Sequence, residues 1–266
     1  MKDRLITIWC LSNAFFYLIL GGLPCIIFTM IMYPFANQIF IEKFVSYWSS
    51  VYFKLVLWSS CINIQVHGLE NMPKNKKFIL ASNHTSFLDI PLLYAILPYW
   101  ITPVVKKDLI YVPIFGLLVR LSGAILIDRK NTAVSIDNMN NTMDVIKNNP
   151  RPILIFPEGK RSLDSNIQEL KPGAFIMSVK LKYPIVPVYI HGCNDVIGKN
   201  LNIFGCINTS KTIHIYIGTQ IDPEELDKDL LKEKVFCEMS ALQACKSGNT
   251  NPKQLALSFC NCFVSS

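Results

Sequence analysis

Hydrophobic and polar positions divide this chain into two regimes. Residues 5–41 include no charged side chain, while Lys2 and Arg4 precede the run and Glu42 and Lys43 close it. A membrane span needs about 20 apolar residues, so the run predicts one tilted helix, or two shorter pieces broken near Gly21, Gly22 and Pro24. It is too long for a signal-peptide core and lacks a clean small-x-small cleavage site, which disfavours secretion. Residues 42–60 carry Tyr47, Trp48, Tyr52, Phe53 and Trp58 around Lys54. Aromatic rings with few charges suit the lipid headgroup boundary. A helix packed on its own domain would show the same pattern.

Beyond Cys61 the pattern changes to short β-branched runs: INIQV (62–66), KFILAS (77–82), WITPVV (100–105), GAILID (123–128), PILIF (152–156), PIVPVYI (184–190) and TIHIYIG (212–218). Each reads as a strand. Several are apolar throughout, as strands covered on both faces must be. Helical periodicity falls between them at 86–97, 109–121, 132–147 and 174–180, with a longer closing helix at 223–246. This alternation predicts an α/β fold with a mostly parallel central sheet of about seven strands flanked by helices. The expected organisation is a membrane-anchoring helical region at 1–60, an α/β domain at 61–246 and a weakly ordered tail at 247–266.

Composition sharpens the picture. Hydrophobic residues make up 51% of the 266 and charged residues only 17%, yet the formal net charge is +7. An apolar but basic chain suits anionic lipid surfaces or phosphorylated ligands, and it lacks the basic and aromatic motifs of nucleic-acid binders. Nine cysteines are scattered without a CxxC pair or zinc-like spacing, which points to a reducing compartment. Cys260 and Cys262 read as ordinary thiols in the tail.

Ligands of parallel α/β sheets gather at the carboxyl ends of the strands, and two motifs fall there. NHTSFLD (83–89) follows KFILAS. On one continuous helix a histidine and an aspartate five residues apart would point about 140° apart. Placing His84 in the turn, with Ser86 as helix N-cap and Asp89 three residues into the helix, lets the imidazole fold back towards the carboxylate. A carboxylate on one imidazole nitrogen fixes the tautomer and leaves the other nitrogen as a general base. A capping Asp89 beside an ordinary turn histidine is the simpler alternative. FPEGKRS (156–162) follows PILIF, and Glu158, Gly159, Lys160, Arg161 and Ser162 combine a flexible backbone, two cations and a hydroxyl, as phosphate binding requires. A charged surface turn is again the alternative. Lys106-Lys107 and Arg129-Lys130 close two further strands, so four successive strand ends would deliver a base and three sets of cations to one sheet edge.

Other motifs fail on chemistry. GCNDVIGK (192–199) has one residue too many for a phosphate-binding P-loop and is followed by Asn200 where Ser or Thr is required. No GxSxG nucleophile elbow exists. His67, His191 and His214 lie in or beside strands and read as structural.

With both motifs in hand, residues 66–218 resemble the glycerolipid acyltransferase family, most closely the 1-acylglycerol-3-phosphate acyltransferases. NHTSFLD is similar to the family's histidine-x4-aspartate block, GAILIDR to its second block, FPEGKRS to its glutamate-glycine-threonine-arginine-serine block, and IVPVYI to its apolar-proline block. The resemblance implies that His84 is the catalytic base, Asp89 its orienting partner and Lys106 a cation near the reacting groups. It further implies that Arg129, Glu158, Gly159, Arg161 and Ser162 bind glycerol phosphate; Lys160 replaces the usual threonine. Acyl-CoA or acyl carrier protein would be the donor substrate, with no further cofactor or metal, and a lysophospholipid the acceptor. The expected setting is the lipid bilayer, with the catalytic domain facing the cytoplasm and no nucleic-acid partner. Rival readings are another acceptor, such as glycerol 3-phosphate or a glycolipid, a thioester hydrolase, and a non-catalytic lipid-binding protein.

Overall fold

The computed structural model of the chain describes residues 2–97, 100–112, 115–128, 132–162, 166–197, 207–224 and 226–245. In chain order its helices are α1 (Lys2–Tyr17), α2 (Leu23–Met32), α3 (Gln38–Ser59), α4 (Asp89–Ile96), α5 (Phe115–Leu121), α6 (Thr132–Asn148), α7 (Gly173–Leu181), α8 (Cys193–Val196) and α9 (Lys228–Ala244). The strands are β1 (Asn63–His67), β2 (Ile79–Ser82), β3 (Thr102–Lys106), β4 (Ile125–Ile127), β5 (Ile153–Ile155), β6 (Ile185–His191) and β7 (Thr212–Ile217). The contacts divide the chain into two compact units, one from residues 1–63, 87–151 and 195–212, the other from 64–86, 152–194 and 213–266.

In the first unit the apolar beginning forms one helical run. A single π turn, Leu18–Gly22, joins α1 to α2 with helical backbone at Gly22 and Leu23, so Pro24 follows it inside one continuous run and cannot donate to the preceding turn. Among the described residues, Arg4–Met32 is the one helix long and apolar enough to cross a membrane, and only 17% of its most apolar window is buried. A core helix would bury most of that surface. Asn37 caps α3, its side chain accepting from the Phe40 N–H at 2.8 Å. Trp9 donates to the Ser59 carbonyl at 3.0 Å and Tyr52 to that of Ala14 at 3.2 Å, so α1 and α3 run antiparallel. β3 and β4 pair in parallel, Val104 opposite Ile125.

The same unit contains a buried ion pair. The Arg151 guanidinium meets the Glu42 carboxylate at 3.0 Å, donates from Nε to Thr102 Oγ1 at 2.5 Å and lies 4.3 Å from the Trp100 ring centre. Both charged side chains are almost fully enclosed, at 1% and 5% exposure. Gly123, with φ +69°, lies so close to Glu42 that a Cβ would come 2.4 Å from its carboxyl carbon. Helix α3 is thereby tied to the start of β3.

The second unit carries five strands in the order β1-β7-β6-β2-β5. β2 lies parallel to β5 and to β6, Ile79 facing Ile153 on one side and Ile185 on the other. β6 and β7 are antiparallel. Side chains of β2, β5 and β6 are buried almost throughout, which is why those segments are apolar on both faces. Helix α9 packs on β6, and α7 on β2 and α9.

All seven foreseen strands are present, and the mostly parallel α/β class holds. Three helix boundaries differ. The 109–121 segment divides into a 3-10 turn, Lys107–Tyr111, and α5, with Val112 extended at φ −75° and ψ 122°. Pro113 follows Val112 and disfavours helical geometry there. The closing helix starts at Lys228, not residue 223, because the Asp227 side chain accepts from the N–H groups of Asp229 and Leu230 at 2.9 and 2.8 Å. Helix α4 starts at Asp89, so Ser86 is not its cap and Asp89 is its first residue, not its third. The 247–266 tail lies outside the described residues.

Candidate functional site

The second unit brings His84 against FPEGKRS. Because β2 and β5 are parallel neighbours, the chain leaves both strands at one edge. Asn83 extends the ladder past β2: its N–H donates to the Val188 carbonyl at 3.3 Å, its side-chain amide donates to the Ile190 carbonyl at 3.0 Å, and its side-chain oxygen accepts from the Ile190 N–H at 2.7 Å. This side-chain pairing fixes where the turn begins. Its signal in the sequence is an asparagine directly after an apolar strand.

After β5 the chain makes a tight turn in which the Gly159 N–H donates to the Phe156 carbonyl at 3.0 Å. Pro157 supplies the fixed φ of the second turn position, and Gly159 itself takes φ +68°, a conformation that β-carbons oppose. The Lys171 N–H donates to the Pro157 carbonyl at 2.7 Å and braces the turn from behind. Lys160 and Arg161 are left exposed, whereas Glu158 and Ser162 are 2% and 3% exposed.

Three contacts join this turn to His84. The Ser162 N–H donates to the His84 carbonyl at 2.7 Å. The His84 N–H donates to Glu158 Oε1 in a long hydrogen bond of 3.4 Å. The Phe156 ring stacks on the imidazole with centres 4.2 Å apart and planes 26° from parallel. Phe156 was not singled out from the sequence, where it reads as the last apolar residue of a strand. The Glu158 charge is also felt by Tyr189 on β6, whose phenol is pushed up to about 12, chiefly by burial and next by that carboxylate.

In the first unit, Asp89 is fully buried at the N-terminus of α4, where a carboxylate is favoured by the helix dipole. Lys106 ends β3 as an exposed cation paired with Asp108. Lys107 reaches Asp128 at 3.6 Å. Arg129, also assigned from the sequence, lies outside the described residues.

Residues 63–191 match the family model described as Acyltransferase. A 1-acyl-sn-glycerol-3-phosphate acyltransferase of Saccharomyces cerevisiae is 36% identical over 176 residues, which cover 65% of this chain and 56% of that protein. The alpha form of the same enzyme from Homo sapiens is 31% identical over 134 residues, 50% of this chain and 47% of that protein. The chain thus spans about half the length of these curated relatives. A solved structure, the 1-acyl-sn-glycerophosphate acyltransferase PlsC from Thermotoga maritima, superimposes with a TM-score of 0.72 at 20% identity, covering 94% of this chain and 98% of that one. That likeness is one of fold. All four ordered motifs lie within residues 63–191, the stretch that the Acyltransferase model matches.

Proposed function

We propose that this protein is a membrane-bound O-acyltransferase that moves a fatty acyl group from an acyl thioester to the free hydroxyl of 1-acylglycerol 3-phosphate, giving phosphatidic acid. The observation that carries the reading is the 2.7 Å hydrogen bond from the Ser162 N–H to the His84 carbonyl, which ties the one histidine with a base's setting to the cation-bearing turn. The names of the relatives supply the acceptor and reaction class.

The chemistry needs only positioned groups. His84 takes the hydroxyl proton as that oxygen attacks the thioester carbonyl. A C–O bond forms, the tetrahedral intermediate collapses with cleavage of the C–S bond, and the imidazolium returns its proton to the leaving thiolate. Asp89, five residues along the chain, is assigned the role of stabilising the imidazolium. Lys106 is assigned to the developing oxyanion. Its pair with Asp108 is a half-exposed surface contact, worth about 0–1 kcal/mol, and is readily exchanged for a substrate anion. Lys160, Arg161 and Arg129 supply charge for the acceptor's phosphate, with Gly159 and Ser162 shaping the backbone beside it. Acyl-CoA or acyl carrier protein serves as donor, no metal or further cofactor enters, and the domain faces the cytoplasm. Residues 1–60 hold the site at the lipid surface, a role supported by the exposed apolar side of Arg4–Met32.

The test uses the purified full chain with acyl-CoA or acyl carrier protein and a panel of acceptors, read by thiol release and mass spectrometry of the lipids. Phosphatidic acid made only with lysophosphatidic acid present is the expected result. Thiol release without acceptor would make the protein a hydrolase, and no release a lipid-binding protein. His84→Ala and Asp89→Asn are expected to abolish nearly all transfer while leaving the circular dichroism spectrum unchanged.

A further inference from the structure

We propose that Glu158 and Phe156 are positioning residues that hold His84 in its working orientation, and that the phosphate-facing charge of the turn belongs to Lys160 and Arg161. This rests on the reading of His84 as the base. It departs from the resemblance, which groups Glu158 with the glycerol phosphate contacts.

The argument begins with charge and burial. A carboxylate repels a phosphate, and Glu158, at 2% exposure, offers almost no surface to one. Lys160 and Arg161 have the opposite properties, being cationic and exposed. The positive φ of Gly159 separates the two sets: it reverses the chain directly after Glu158, so the carboxylate stays inside while the next two side chains emerge. Burying a carboxylate is costly unless donors face it. The His84 N–H is one such donor, at 3.4 Å, and it belongs to a residue just past the end of β2, beyond the reach of the ladder.

The turn grips His84 at three points. Its N–H meets Glu158, its carbonyl meets the Ser162 N–H, and its ring lies on Phe156. The first two fix the backbone on either side of the Cα atom, and the third limits rotation of the side chain. Reacting atoms must approach to about 3–3.5 Å, and a misplacement near 1 Å can cost about 100-fold in rate. Glu158 and Phe156 therefore act on turnover through His84, without touching substrate.

The experiment compares Glu158→Ala, Glu158→Gln, Phe156→Leu and Phe156→Tyr with Arg161→Ala in the full chain, measuring kcat and the KM for lysophosphatidic acid. Glu158→Ala is expected to lower kcat about tenfold or more while KM stays within about twofold, because orientation and not binding is lost. Glu158→Gln keeps an oxygen for the His84 N–H and should recover kcat to within about threefold of the parent. Phe156→Leu should lose about tenfold in kcat and Phe156→Tyr, which keeps the ring, much less. Arg161→Ala should show the converse, a raised KM. A Glu158→Ala protein with unchanged kcat and raised KM would overturn the proposal, as would a Glu158→Gln protein no better than Glu158→Ala or a fully active Phe156→Leu protein. If Glu158→Ala fails to fold, the glutamine variant and the Phe156 pair carry the same decision. A folded, active His84→Ala protein would remove the base itself, an outcome distinct from any result at Glu158 or Phe156.

Discussion

At the residue scale, Gly159 sets the geometry of the site turn. Among the described residues a Cβ there would meet only the Lys171 Cγ at 3.6 Å, an ordinary contact, and alanine would be strained in the backbone at φ +68°. We expect Gly159→Ala to lower stability by about 1–2 kcal/mol in urea unfolding, with a fall in acyl transfer. His214 gives a pH-dependent prediction. Its Nδ1 lies 3.3 Å from the Nε2 of His67, both rings stack with Tyr216, and burial followed by the neighbouring imidazole lowers its pKa from 6.5. Below pH 6.5 the unfolded chain binds this proton before the folded one does. The contribution of His214 is therefore present above that pH and is lost as pH falls through the lowered folded value. His214→Asn should flatten the decline of thermal stability across that window. His84 in a strand-end turn was legible from the apolar run before it. The stacked Phe156 was not, because a phenylalanine ending a buried strand looks the same whether it faces the core or an imidazole.

At the element scale, helix boundaries follow local donors and acceptors. Asp227→Ala removes the cap of α9 and should cost about 1 kcal/mol, read as a shift in the chemical denaturation midpoint. The same logic applied to Ser86 misplaced the start of α4, because a serine with a carboxylate three residues on is a common pattern whose capping geometry is set by the chain path. The tie between α3 and the start of β3 is stronger. Removing one partner, by Glu42→Ala or Arg151→Ala, leaves a buried charge unpaired and should destabilise by about 3–5 kcal/mol. Glu42→Leu with Arg151→Met removes both charges and should cost less than the sum of the single changes, which a double-mutant cycle measures. Nothing in the spacing of Glu42 and Arg151, 109 residues apart, announces this pair.

At the scale of the whole molecule, an apolar helical run and a net charge of +7 belong to one chain. Binding of the full chain to vesicles should therefore have two components. Raising the salt should weaken the anionic-lipid part, since surface charges are screened beyond about 10 Å at 0.1 M. The apolar part should persist at high salt in neutral vesicles. A sedimentation assay over both variables checks it; complete release of the protein by salt would argue against an inserted helix.

The sequence by itself determined the elements and their class, because short β-branched apolar runs and helical periodicity reflect local geometry and burial. It also pointed to the two strand-end turns as the candidate site, because charged and titratable residues cluster where parallel sheets gather ligands. Only the tertiary structure decided which way each side chain of FPEGKRS points. Seven consecutive residues with one composition divide into Glu158 and Phe156 turned onto His84 and Lys160 and Arg161 turned to solvent. That division depends on a reversed φ at Gly159 and on β2 lying beside β5, and the pairing of strands 71 residues apart is a long-range choice that no local pattern encodes.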